Sequence, residues 1–117
     1  MGTIIERYLS SITTHDWDGL GACVTDDVVR IGPYGDGYQG RDEYVSFISE
    51  LMPTLAGYDM QVHRVVYGAD GRVGMAELTE TVDLDGRVVV TPESLVFDIA
   101  ESGHITHISV YIQRSKP

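Results

Sequence analysis

A carboxylate in line with large apolar side chains is the first feature of this sequence with chemical potential. Glu93, Leu95, Phe97 and Ile99 alternate along the segment from Pro92 to Ile99, whose Val, Phe and Ile content reads as a strand. Successive strand residues point to opposite faces, so these four share one. If that face lines a core, the Glu93 carboxyl is poorly solvated. Desolvation then raises its pKa and makes it a hydrogen-bond donor rather than a base. Tyr8 is a second candidate donor, because Ile4, Ile5, Tyr8, Leu9 and Ile12 recur at helical spacing and place its phenol in a buried stripe. Two donors aimed at one oxygen stabilise negative charge developing on it. Asp83 and His63 are the candidate proton acceptors. Each residue also has a structural reading: Tyr8 as a core tyrosine bonded to a carbonyl, Glu93 at a bulge facing water, and His63 or His107 as hydrogen-bonded strand packing. His63, His104 and His107 have no spacing that builds a tetrahedral site, so no metal is expected.

These side chains need elements to hold them. Thr3 is placed to cap a first helix, and Trp17, Leu20 and Val24 start a short second one that Gly19 and Gly21 weaken. Thr25-Asp26-Asp27 reads as a turn, Val28–Ile31 as a short strand, and residues 32–40 as a glycine-rich loop carrying Tyr34 and Tyr38. That loop lacks a Gly-Lys-Ser/Thr ending and is acidic, which argues against phosphate binding. Asp42–Met52 reads as a helix, with Tyr44, Phe47, Ile48 and Leu51 on one face and Pro53 as its stop. Four strands follow, Tyr58–Tyr67, Val73–Leu84, Arg87–Ile99 and His104–Ile112, turning at Ala69-Asp70-Gly71, Asp85-Gly86 and Glu101-Ser102-Gly103. Short turns make the last three an antiparallel meander. On Val73–Leu84, Glu77, Thr79, Thr81 and Asp83 form a polar face, whereas Ala76, Leu78, Val82 and Leu84 form an apolar one that Glu80 interrupts. With helices gathered toward the start, the expected class is α+β: one domain over residues 1–117, a curved antiparallel sheet with N-terminal helices packed on it.

Composition narrows the function. The 117 residues are 43% hydrophobic and carry a formal charge of −10 with a single lysine, Lys116, so phosphate backbones and anionic lipid surfaces are repelled. Nucleic acid and membrane are not expected partners. No basic segment followed by an apolar core opens the chain, and the expectation is a cytoplasmic protein. Cys23 is the single cysteine, which excludes an internal disulfide and suits a small core residue.

A series of short motifs carries a resemblance. Glu6-Arg7-Tyr8-Leu9, Asp16-Trp17-Asp18-Gly19-Leu20, Thr25-Asp26-Asp27-Val28, Gly32-Pro33-Tyr34-Gly35, Gly40-Arg41-Asp42-Glu43-Tyr44, Asp85-Gly86-Arg87 and Gly103-His104-Ile105-Thr106, in this order, resemble the SnoaL-like branch of the nuclear transport factor 2-like superfamily. The resemblance implies a cone-shaped, cystatin-like α+β barrel with a deep apolar pocket and a homodimer through the outer face of the sheet. It implies no single reaction, since the superfamily spans polyketide cyclases, ketosteroid isomerases, a dehydratase, epoxide hydrolases and non-catalytic binding modules. Tyr8 matches the tyrosine donor of the isomerases, Glu93 stands where they keep a protonated aspartic acid, and Gly32 stands where they carry their base. Asp83 matches one catalytic aspartate of limonene epoxide hydrolase, with Thr81 and Val110 in place of its arginine and second aspartate, a match that favours the polar strand face inward. The pocket-lining side chains implied are Trp17, Tyr34, Tyr38, Phe47, Thr81, Leu95 and Val110. The expected activity is cofactor-independent acid-base catalysis on a small hydrophobic substrate of polyketide, steroid or terpenoid type. The alternative is a ligand-binding or dimerisation module of the same fold. Dimerisation would cover Val88, Val90, Val96 or Tyr111, depending on register.

Overall fold

Helix α1 (Ile4–Thr13) begins where the Thr3 hydroxyl accepts the Glu6 backbone N–H, in the computed structural model that describes residues 3–114. A second free N–H of this first turn, that of Ile5, is taken by the Tyr67 hydroxyl at 3.1 Å. Ile5, Tyr8, Leu9 and Ile12 form its buried stripe. Helix α2 (Trp17–Ala22) starts at Asp16, whose carboxylate accepts the Gly19 N–H at 2.9 Å. Helix α3 (Arg41–Leu51) buries Tyr44 and Ile48 and runs into a 3₁₀ turn, Met52–Thr54, that contains Pro53. No helix among the described residues is long and apolar enough to cross a membrane.

The strands are β1 (Val24–Ile31), β2 (Gly37–Gln39), β3 (Asp59–Tyr67), β4 (Val73–Leu84), β5 (Arg87–Ile99) and β6 (Ile105–Ile112). They form one six-stranded sheet in the order β2-β1-β6-β5-β4-β3. The meander β4-β5-β6 is antiparallel as expected, and β4 pairs β5 without a break from Val73↔Asp98 to Leu84↔Arg87. Asp85 and Gly86 turn that hairpin with φ of 54° and 81°, the pair of positive angles a tight two-residue reversal requires.

Three features differ from the sequence reading. Residues 25–27 are strand rather than turn, because β1 is continuous from Val24, with a register shift against β6 between Val24 and Val29. Gly37–Gln39, read as loop, pairs with Val29–Ile31 as an edge strand. Finally, β1 and β6 run parallel, so the sheet is mixed, and it stays open with β2 and β3 at its edges.

The faces of the sheet are unambiguous. Ala76, Leu78, Leu95, Phe97, Ile108 and Val110 are buried beneath the helices. The polar face of β4, with Glu77, Thr79, Thr81 and Asp83, therefore points outward, which settles a choice that alternation left open and goes against the side favoured by the epoxide hydrolase match. Apolar area decides the matter: Ala76 and Leu78 are 0% and 1% exposed, and facing them outward would forfeit their transfer from water. Glu80 is carried inward with them.

Candidate functional site

Two polar groups interrupt the inward face. The first joins helices: Tyr8 of α1 and Tyr44 of α3 hydrogen-bond through their hydroxyls, with ring planes 9° apart, and Tyr8 meets Phe97 edge-on at 5.3 Å. Both tyrosines are essentially inaccessible, at 1% and 0% exposure. Burial is the main reason both phenols resist ionisation. It drives Tyr8 well above the ordinary range and Tyr44 up to about 12. Two neutral phenols thus satisfy one another inside the core.

The second group joins strands. Leu78 stands opposite Glu93 and Glu80 opposite Thr91, which makes Glu80 and Glu93 diagonal neighbours on the inward face. Both are half-buried. The Glu93 pKa is pushed up to about 9, first by burial, then by a hydrogen bond to Glu80 and by the charge Glu80 carries, with Arg30 opposing. At neutral pH Glu93 is therefore a protonated donor. The Tyr58 hydroxyl donates to Glu80 from the other side, and burial together with Glu80 holds that phenol neutral.

Arg30 connects the two groups. Its side chain is only 15% exposed, its guanidinium lies 5.4 Å from the Phe47 ring centroid and 3.8 Å from the Asp36 carboxylate, and its charge opposes the upward shifts of Tyr8, Tyr44 and Glu93. The inward face thus holds a neutral acid, a second carboxyl group, a phenol and a guanidinium in a partly desolvated setting. Such an arrangement stabilises negative charge on an oxygen and can pass a proton to it.

The SnoaL-like domain family matches residues 5–108, nearly the whole chain. This chain belongs to the SnoaL-like domain family. Solved structures agree on the fold. An LEH-like epoxide hydrolase from M. tuberculosis is 24% identical, with a TM-score of 0.78 over 94% of this chain and 80% of its own. The epoxide hydrolase/cyclase-like enzyme SalBIII, of pyran ring formation in the polyether salinomycin, is 18% identical, with a TM-score of 0.80 over 94% of this chain and 88% of its own. A protein from Catenulispora acidiphila with a ketosteroid isomerase-like fold, seen in complex with trimethylamine, is 14% identical, with a TM-score of 0.80 over 94% of this chain and 86% of its own. At these identities the likeness is one of fold. No curated protein matches the chain.

Within this SnoaL-like domain the residues singled out from sequence divide sharply. Glu93, Leu95 and Val110 lie together on the inward face, with Leu95 and Val110 directly cross-strand. Phe47 stacks on Tyr38 at 3.9 Å and carries the Arg30 guanidinium over its ring, so both border the same site. Tyr8 is inside, yet its hydroxyl is engaged by Tyr44 rather than paired with Glu93.

The other candidates lie elsewhere. His63 sits at a register shift of β3, exposed, with its Nε2 2.7 Å from the outward Thr79 hydroxyl. Asp83 is exposed near the end of β4, and Thr81 pairs with Val90 on the outer face. Both proton acceptors expected from sequence therefore lie on the outer side of the sheet, where His63 borders a depression that Glu93 also lines. Trp17 stacks on His15 at 5.1 Å and lines a different depression with Arg41, Val45 and His104. Tyr34 is 73% exposed beneath the Arg114 guanidinium. No group of three or more His, Cys, Asp or Glu among the described residues is placed to hold a metal ion.

Arg30, Tyr44, Tyr58 and Glu80 had not been singled out as functional. Glu80 had a readable signal, since it broke an apolar alternation. Arg30 had a weaker one, two residues beyond Val28 on the same strand face. Tyr44 and Tyr58 had none, because an aromatic in an apolar stripe or at a strand start reads as packing.

Proposed function

We propose that this SnoaL-like domain is a cofactor-independent acid-base catalyst acting on a small, largely apolar molecule with a carbonyl or epoxide oxygen. Isomerisation, cyclisation, dehydration and epoxide opening all fall within that class. The observation that carries the reading is the inward Glu80–Glu93 pair. An apolar core gains nothing from two adjacent carboxyls, and keeping one protonated at neutral pH provides the donor that a developing oxyanion needs. Glu93 donates to the substrate oxygen in place of its hydrogen bond to Glu80, Tyr58 holds Glu80, and Leu95 and Val110 supply apolar contact. The test is turnover across cyclic enones and terpenoid epoxides. Glu93→Leu should lower it by on the order of 10²-fold or more, whereas Glu93→Gln, which keeps a donor, should cost far less. Equal loss in both variants would refute the donor role.

The closed Tyr8–Tyr44 pair supports a second reading, a binding or dimerisation module, because a phenol already bonded within the core is not offered to a ligand. Either reading is compatible with a homodimer. Val88, Val90 and Tyr111 on the outer face are 63%, 58% and 60% exposed, an apolar patch that a second copy would cover. Light scattering at micromolar concentration should return twice the 12.9 kDa chain mass, and a monomer throughout would exclude the dimer.

A further inference from the structure

In the acid pair the Glu80 carboxylate is already engaged by Glu93 and Tyr58, and the loop after β1 carries a further carboxylate. Val28, Arg30 and Gly32 alternate on the inward side of this segment: Val28 is 0% exposed, the Arg30 side chain 15%, and Gly32 is buried. A Cβ on Gly32 would stand 2.5 Å from Asp36 Oδ2, 2.6 Å from Oδ1 and 2.8 Å from Cγ. The Asp36 carboxylate thus fills the space where a side chain of residue 32 would begin. Only glycine at 32 leaves room for it.

The loop is built to hold that placement. The Gly32 N–H donates to the Asp36 carbonyl at 2.7 Å, the Gly35 N–H to the Gly32 carbonyl at 3.0 Å, and the Tyr34 N–H to Asp36 Oδ1 at 3.3 Å, with Gly35 at φ 77°. Arg30 faces the same carboxylate at 3.8 Å, and the Asp36 side chain remains 40% exposed. It is therefore anchored without being sealed, as a group that must meet a substrate requires.

We infer that Asp36 is the proton-accepting catalytic residue of this site, delivered by the loop to the position that a side chain on residue 32 would occupy. The inference rests on the acid-base reading above and narrows its substrate to an enolisable ketone. Asp36 takes a proton from the carbon next to the carbonyl, and the C–H electron pair becomes a C=C bond. The carbonyl π pair moves onto oxygen, which accepts the Glu93 hydrogen bond. The oxygen pair then re-forms the carbonyl as the proton returns from Asp36 to the α carbon or, in an unsaturated ketone, to the γ carbon of the dienolate; this regenerates the carboxylate and leaves the C=C bond unmoved or moved, with no atom gained or lost.

The experiment follows deuterium uptake from D₂O into 2-cyclohexenone and cyclohexanone by NMR. Asp36→Asn keeps the acceptor for the Tyr34 N–H, so its melting temperature should stay at the wild-type value while exchange falls by on the order of 10²-fold or more. Asp36→Gly should lose exchange equally. Adding Gly32→Asp to Asp36→Gly returns a carboxylate to nearly the same point and should recover at least about tenfold of the loss, a rescue that a mere loop staple does not provide. If the wild type exchanges both ketones and Glu93→Leu slows it but Asp36→Asn does not, the assignment of Asp36 is wrong and the acid-base reading stands. If the wild type exchanges neither ketone, the assignment of Asp36 falls, while the acid-base reading is decided separately by turnover of the terpenoid epoxides.

Discussion

The Tyr8–Tyr44 pair and the Glu80–Glu93 pair sit on one side of one sheet, and they differ in whether their hydrogen-bonding demand is closed. Each phenol has a neutral partner, both are covered by α1 and α3, and neither retains a claim on solvent or ligand. The carboxyls are half-buried, and burial together with the charge on Glu80 imposes on Glu93 a proton it would not hold in water. Burial of polar groups is thus not by itself a mark of function. The informative case is burial that leaves a group chemically displaced and still reachable.

That contrast can be broken by substitution, and the largest effect is expected in the phenol pair. Tyr8→Ala should destabilise by about 3–5 kcal/mol, the usual cost of deleting a buried aromatic, as read from the urea midpoint. Tyr8→Phe should cost about 1–3 kcal/mol because the Tyr44 hydroxyl loses its partner, and adding Tyr44→Phe should cost less than the two singles combined. Additive losses would mean that the two hydroxyls are not coupled.

The acid pair should instead announce itself through pH. With Glu93 raised from 4.5 to about 9, the native state holds a proton that the unfolded chain releases. Its contribution is fully present below about pH 4.5 and is lost as pH rises toward about 9, so stability falls with pH across that window. Glu93→Gln keeps a donor without titrating, and the difference in melting temperature between it and the wild type should shift steadily in favour of the variant from acid to alkaline conditions. A constant difference would place Glu93 in solvent. The smallest effect belongs to the outer face: Asp83→Asn and His63→Ala should each change stability by no more than about 0.5 kcal/mol and leave turnover unchanged. A hundredfold loss of turnover in either would reinstate the outer face as catalytic.

How far the sequence was legible follows the same division. Strands β4 and β5 fall on Val73–Leu84 and Arg87–Ile99 as read, because Asp85-Gly86 marks the reversal and alternation does the rest. The inward setting of Glu93 was legible for the same reason. The orientation of β4 was not. Alternation separates two faces, but which one is buried depends on where α1 and α3 come to rest, a non-local fact. Thr25-Asp26-Asp27 misled for a related reason: local turn chemistry yields to the pairing of β1 with β6. Asp36 was invisible because its placement depends on the absence of a side chain four residues earlier and on the loop folding back over it.

The parallel seam between β1 and β6 bears on how the chain acquires this structure in time. Val24 pairs with Ile105, partners 81 residues apart, whereas the β4-β5-β6 meander is assembled from neighbours across short turns. Closing the large loop costs chain entropy before any contact returns it, so the meander should condense first and the β1–β6 seam late. During synthesis, β1 and the helices around it must wait, with Val24 and Val28 uncovered, until residues 105–112 have left the ribosome. For that interval the nascent chain exposes an unpaired apolar edge, and the acid-rich segment Thr25-Asp26-Asp27 lies within it, where like charges on different nascent chains keep those edges apart.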